Sequence, residues 1–273
     1  MFKQNLYNKP IKRSKLRLYL GKQFFTYKRY IKWYFDDVKY SKDLLDYKLP
    51  HLIFTHQTPL IRKLQGVDPA LQYNKVNNLK IAASRVSGIC IKPGEVFSYW
   101  RTIGKPTKRK GYKDGLILNP DGTFGAGIGG GLCQLSNMIY WMALHSPLDV
   151  IERYRHSHDI FPDSNRTQPF GSGATCVYNY LDLQIYNGTD NEFQLIVYLT
   201  EDNLVGELRS VEPVKYHYEV YEKEHFISST FWGGYIRNNK IYRRIYENDI
   251  LTADEYVTEN HAIMMYQPLL SSK

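Results

Sequence analysis

The chain has 273 residues, is 43% hydrophobic and 23% charged, and carries a formal net charge of +9. This length and composition exclude a disordered or low-complexity protein and allow one large domain, or two small ones, with a sizeable core. Ten basic residues (Lys3, Lys9, Lys12, Arg13, Lys15, Arg17, Lys22, Lys28, Arg29 and Lys32) precede the first acid, Asp36. The remainder is therefore nearly neutral, so a nucleic-acid groove spread over the whole surface is excluded and no nucleic-acid partner is expected.

The N-terminus lacks the apolar core of a signal peptide, and no run approaches the ~20 apolar residues of a membrane span. Cys90, Cys133 and Cys176 are odd in number, far apart and without a CxxC pair, which argues against a disulfide framework. A cytoplasmic chain with reduced thiols is the expectation, peripheral to the inner membrane face if the basic segment binds lipid.

In chain order, residues 16–35, LRLYLGKQFFTYKRYIKWYF, carry helical periodicity. Leu20, Phe24, Tyr27, Tyr30, Ile31, Tyr34 and Phe35 fall near one face with basic residues between them. Such a helix can pack on its own domain, or residues 11–35 can lie on an anionic membrane surface. LPHLIF reads as a strand. NKVNNLKIAASRVSGICI reads as a helix stopped by Gly88. ICIKPGEVFSYW reads as a strand, a Pro-Gly turn and a second strand. GKPTKRKGYKDGLILNPDGTF gives loop, strand and turn, leading into a glycine loop.

After a helix starting at Cys133, LDVIERYRHSHDIF alternates like one strand, which would turn His156 and His158 to the same face. ATCVYNYLDLQIYN gives one or two strands, and a β-rich pattern continues to the end, with Asn238-Asn239 where a hairpin turn belongs. The class is α+β. A mostly antiparallel sheet surrounds a central buried helix, with a basic amphipathic helix before it and a β-rich part after it. The expected organisation is a basic helical segment over 1–45, an α+β domain over 46–205, and a β-rich extension over 206–273 packed on the same domain.

GAGIGGGLCQLSNMIYWMALHS, residues 125–146, is the least ordinary stretch: five glycines in seven residues, then a thiol at the start of a helix. Gly125, Gly127 and Gly130 spell GxGxxG, but the antiparallel surroundings do not supply the βαβ unit a dinucleotide needs. A thiol in the first helical turn feels the positive end of the macrodipole, which favours the thiolate. Cys133 is then a candidate nucleophile, His156 its base with His158 as the alternative, and Asp182 the group orienting the histidine. Gly129, Gly130, Gly131, Gln134, Asn137 and His158 are candidate substrate-binding residues, with Gly130, Gly131 and Gln134 shaping an oxyanion region. In the competing reading Cys133 is a small buried hydrophobe and the glycines allow close packing. Cys133, Cys176, His156 and His158 are zinc-competent, but their pattern is unspecific. Neither a metal nor a cofactor is expected.

KVNNLKIAA, IKPGEVFSYWR, YKDGL, GGGLCQLSNMIYW, LHSPL and DLQIYN together resemble the VanW family, over about residues 45–205. The resemblance implies an association with the bacterial cell envelope or with glycopeptide resistance, and a short, unsecreted form. The family's histidine motif falls on His156 and its Asp-Leu pair on Asp182-Leu183. Where many relatives carry Asp-Ala-Thr, this chain has Gly173-Ala174-Thr175, so any acid that the family uses there is missing. Two functions follow as expectations. One is a thiol enzyme performing acyl transfer or amide hydrolysis on a peptide-like or cell-wall-precursor substrate. The other is a non-catalytic binding or scaffold module at the inner membrane surface, using the Gly-rich/Cys pocket for recognition.

Overall fold

The structure is a computed structural model that describes residues 13–62, 67–119, 122–160 and 168–268. Four α-helices are present among these: α1 (Lys15–Phe35), α2 (Pro69–Val86), α3 (Tyr99–Ile103) and α4 (Cys133–Leu144). Their starts follow ordinary capping chemistry. Ser14 accepts from Arg17 N before α1, and Asp68 accepts from Ala70 N before α2, with Pro69 in the first turn. Gly88, at φ +95°, lets the chain leave α2 hard against the Leu45 backbone.

The first sheet joins β1 (His51–Pro59), β2 (Ile89–Ile91), β9 (Phe193–Leu199) and β10 (Asn203–Ser210) in the antiparallel order β1-β10-β9-β2. A second contains β3 (Val96–Ser98), β6 (Asp149–Glu152) and β8 (Gln184–Tyr186), with β8 central. A hairpin of β4 (Asp114–Leu118) and β5 (Phe124–Ile128) leads into α4. The C-terminal part is a meander of β11 (Tyr216–Thr230), β12 (Gly234–Glu247) and β13 (Ile250–Met264), whose last strand pairs in parallel with the short β7 (His158–Asp159). The α+β class with mostly antiparallel sheets is as expected.

The core forms around α4. Leu135, Ile139 and Met142 are fully buried there, and Leu79, Val86, Phe193, Leu195, Leu204 and Leu208 pack in the same cluster. Gly206 of β10 lets the helix approach the sheet, since a Cβ there would lie 2.8 Å from the sulfurs of Met138 and Met142. The meander is tied to this body by buried polar groups. Arg153 donates to Gly173 O at 2.8 Å, to Gly171 O, and to Asn260 Oδ1 at 3.2 Å, and it stacks over the Tyr140 ring.

Three local expectations are corrected. The stretch 149–160 is not one strand: β6 ends at Glu152 and β7 begins only at His158, so His156 lies in a loop. Asn238-Asn239 is not a turn. Both residues are buried in β12, where Asn239 Nδ2 donates to Phe170 O at 2.6 Å and Asn260 Nδ2 donates to Asn239 Oδ1 at 2.8 Å. The turn instead falls at Asn248-Asp249, both at positive φ, as a two-residue hairpin turn requires. The glycine stretch is not wholly a loop either, because Gly125 and Gly127 lie in β5.

Candidate functional site

The turn between β5 and α4 explains the glycines. Gly129 and Gly131 have φ +76° and +88°, a region costly for residues with a Cβ. Gly130 meets Gly115 of β4 backbone to backbone: a Cβ on Gly130 would lie 2.1 Å from Gly115 O. Asn78 of α2 pins both segments, donating to Gly130 O at 3.0 Å and Lys113 O at 2.9 Å, and accepting from Lys113 N at 2.8 Å. The bare backbone here is filled by neighbouring protein.

One neighbour is charged. The stem of Lys75 runs across Gly131, with Cγ 2.1 Å from where a Cβ would stand. Lys75 is 7% exposed. Burial, and secondarily the charge of Arg62, lower its pKa to about 8. No hydrogen bond or ion pair engages its ammonium among the described residues. The backbone N–H groups of Gly131, Leu132 and Cys133 make no backbone hydrogen bond among the described residues, as expected where a helix starts.

Cys133 opens α4 and is half-buried. Its Sγ donates to Cys176 O at 3.8 Å. Burial pushes its thiol pKa up, outweighing the backbone hydrogen bonds that pull it down. This reverses the expectation of a dipole-lowered thiol. The macrodipole acts over the first turn but is worth only ~0.3–1 kcal/mol at exposed sites, while removing a thiolate from water costs more. Cys176 is buried, with its thiol pushed well up, chiefly by burial.

Asp182 is completely buried and acts as an acceptor hub. Ser98 Oγ donates to it at 2.5 Å, Trp100 N at 2.9 Å, Leu183 N at 3.0 Å and Gln184 Nε2 at 3.2 Å. It thereby fixes the start of α3 beside β8. Burial raises its pKa to about 6 despite these donors. His156 is surface-exposed in its loop. Its crowded surroundings, with His158 as a smaller cause, drive its pKa down to about 4, and solvent at the exposed residue screens part of that push. Among the described residues no hydrogen bond or ion pair joins His156 to Cys133 or to Asp182. His158 Nδ1 lies 3.0 Å from Ser157 Oγ.

The other candidates have structural partners. Gln134 Nε2 donates to Thr58 Oγ1 and Pro59 O, both at 2.9 Å, tying α4 to the end of β1. Asn137 Oδ1 accepts from Ala174 N at 2.8 Å, and Gly173 packs so close that a Cβ would lie 2.6 Å from that oxygen. A side chain at 173 would therefore displace the Asn137 amide. No group of three His, Cys, Asp or Glu side chains among the described residues is placed to hold a metal ion.

Lys75 is not among the site residues singled out from the sequence. Its place on the Asn74–Asn78 face was the available signal: Asn74 Nδ2 donates to Asp114 O at 2.8 Å beside the Asn78 contacts.

The family described as "VanW like protein" matches residues 74–209. "Vancomycin B-type resistance protein VanW" of Enterococcus faecalis is 38% identical over 174 residues, covering 64% of this chain and 63% of that protein. "Uncharacterized protein YoaR" of Bacillus subtilis is 29% identical over 87 residues, 32% of this chain and 28% of that protein. The chain thus spans less than two thirds of either relative's length. No solved structure matches.

Proposed function

Because the chain belongs to the VanW family, through a domain at residues 74–209, we propose that it is an accessory protein of the bacterial cell envelope associated with glycopeptide resistance. We further propose that the start of α4 recognises a peptide-like cell-wall precursor through its carboxylate, without forming a covalent bond to it. The observation that carries this reading is Lys75, a largely buried lysine whose stem crosses Gly131, together with the N–H groups of Gly131, Leu132 and Cys133, which make no backbone hydrogen bond among the described residues. A carboxylate accepts from both kinds of donor, and the helix start favours its charge. The state of the thiol favours recognition over covalent catalysis. Burial pushes the Cys133 thiol pKa up, no hydrogen bond or ion pair joins His156 to it among the described residues, and Asp182 is occupied at α3.

The test is complementation of a deletion of this gene in its own host, scored by vancomycin susceptibility. Cys133→Ala is expected to restore resistance as wild type does. Lys75→Met, which keeps the stem over Gly131 and removes the charge, is expected to restore it poorly. Loss of resistance in a folded Cys133→Ala variant would instead favour the thiol-enzyme reading, with Cys133 as the nucleophile.

A further inference from the structure

Helix α1 is held to the body by one face only. Arg29 is 7% exposed and pairs with Glu152, Nη1 donating to Oε2 at 2.8 Å and Nη2 to Oε1. Trp33 is buried, and its carbonyl accepts from Arg101 Nη1 at 2.7 Å. Tyr30 and Tyr178 join hydroxyls at 2.8 Å, and Asn179 Nδ2 donates to Thr26 O at 3.3 Å. Thr26, Arg29, Tyr30 and Trp33 recur at helical spacing and define the docked face.

The face turned away is apolar. Leu20, Phe24, Tyr27 and Ile31 form a continuous stripe at spacings of three and four, each 56–64% exposed, and Tyr34, 72% exposed, continues it to the edge where Arg101 lies over its ring. A groove lined by Ser14, Leu16, Arg17, Leu20, Gly21 and Phe24 opens beside it, where Gly21 has no side chain and no neighbour. Exposed Arg17, Lys28 and Lys32 run along one side of the stripe, and the helix contains no acidic residue. A continuous apolar ridge of this size is unusual on a monomeric surface. A basic flank beside aromatic and aliphatic side chains matches the interface of a bilayer containing anionic lipid, where the ridge enters the acyl boundary and the cations remain among the headgroups. A second copy of this chain suits the ridge less well, because two such helices would bring their basic flanks together.

We propose that α1 is a membrane-docking helix, lying in the plane of an anionic bilayer on the Leu20–Tyr34 stripe while Arg29 and Trp33 hold the domain against its other side. Since no described helix is long and apolar enough to cross a membrane, the attachment is peripheral. It is independent of what α4 binds.

The test is co-sedimentation of the full-length chain with vesicles of phosphatidylglycerol and phosphatidylcholine in equal amounts, and with vesicles of phosphatidylcholine alone. Phe24→Ser/Ile31→Ser and Lys28→Glu/Lys32→Glu are compared with wild type. All four positions are exposed, so circular dichroism is expected to be unchanged. Wild type should partition at least roughly tenfold better onto the anionic vesicles, with the preference falling at high salt, and each double variant should lose most of the binding. Equal partitioning onto both vesicle types, or undiminished binding of Phe24→Ser/Ile31→Ser, would overturn the proposal. So would absence of vesicle binding together with a wild-type dimer in solution that the same variant dissociates, which would assign the ridge to a second copy of the chain.

Discussion

Helices α1 and α4 are both rich in large apolar and aromatic side chains, yet they meet opposite surroundings. In α4, nine of the twelve residues from Cys133 to Leu144 are buried. In α1 only Arg29 and Trp33 of 21 residues are buried. The difference lies in what each helix can approach. Gly206 and the Gly115–Gly130 contact let α4 and its leading turn close onto β10, β4 and α2. The body meets α1 along one face only, through the Arg29–Glu152 ion pair, a few hydrogen bonds and aromatic contacts. Apolar periodicity therefore predicts that a helix has an apolar face, while the partner of that face is decided by charge and by backbone clearance.

The contrast is broken most directly by truncating each helix. Ile139→Ala, in the fully buried part of α4, is expected to cost about 4 kcal/mol in urea unfolding, whereas Phe24→Ala in α1 should cost less than about 0.5 kcal/mol. Equal costs would mean that α1 is as integral to the core as α4. The grip on α1 is tested by Glu152→Ala, which leaves the buried Arg29 guanidinium without its carboxylate. About 3 kcal/mol of docking should be lost, appearing as faster amide exchange in α1 with protection in α4 retained. Gly131→Ala probes the clearance before α4. The positive φ and the Lys75 stem predict a loss of about 2 kcal/mol, and a neutral result would show that the turn tolerates a side chain.

A smaller, pH-dependent effect belongs to the α4 side. His145, after the last turn of α4, stacks on Phe54 with ring centroids 4.0 Å apart, and burial lowers its pKa to about 4. The folded protein thus binds this proton less readily than the unfolded chain. The associated stability is present above about pH 6.5 and is lost as pH falls from there to about 4, amounting to up to about 2 kcal/mol after solvent screening. The melting temperature should fall over that window, and His145→Phe should flatten the fall. A fall of the same size in His145→Phe would assign it elsewhere.

Much of this fold is legible in the sequence. The apolar spacing of α4, the Pro-Gly turn before β3 and the stop at Gly88 all act locally, so the sequence displays them. The misreadings arise where distant groups decide. Asn238-Asn239 looks like a turn because asparagine tolerates one, but partners on Phe170, Glu222 and Asn260 bury the pair in a strand, while Asn248-Asp249 makes the turn. The Cys133 helix start was legible, but its thiol chemistry was not. The pKa depends on how deeply the sulfur is packed beside Cys176 and Tyr99, which only the tertiary structure contains. Asp182 showed the same limit, since two of the four donors that occupy it, Ser98 Oγ and Trp100 N, lie more than eighty residues earlier.

On the proposed reading, the α4 entrance recognises a ligand and does not activate a thiol. The most direct measurement is the pH dependence of iodoacetamide labelling at Cys133, read by mass spectrometry in wild type and in His156→Ala. Slow labelling at neutral pH, a midpoint above the free-thiol value of about 8.5, and identical profiles in the two proteins are expected. Fast labelling at neutral pH that slows in His156→Ala would contradict it and restore Cys133 as a nucleophile paired with that histidine.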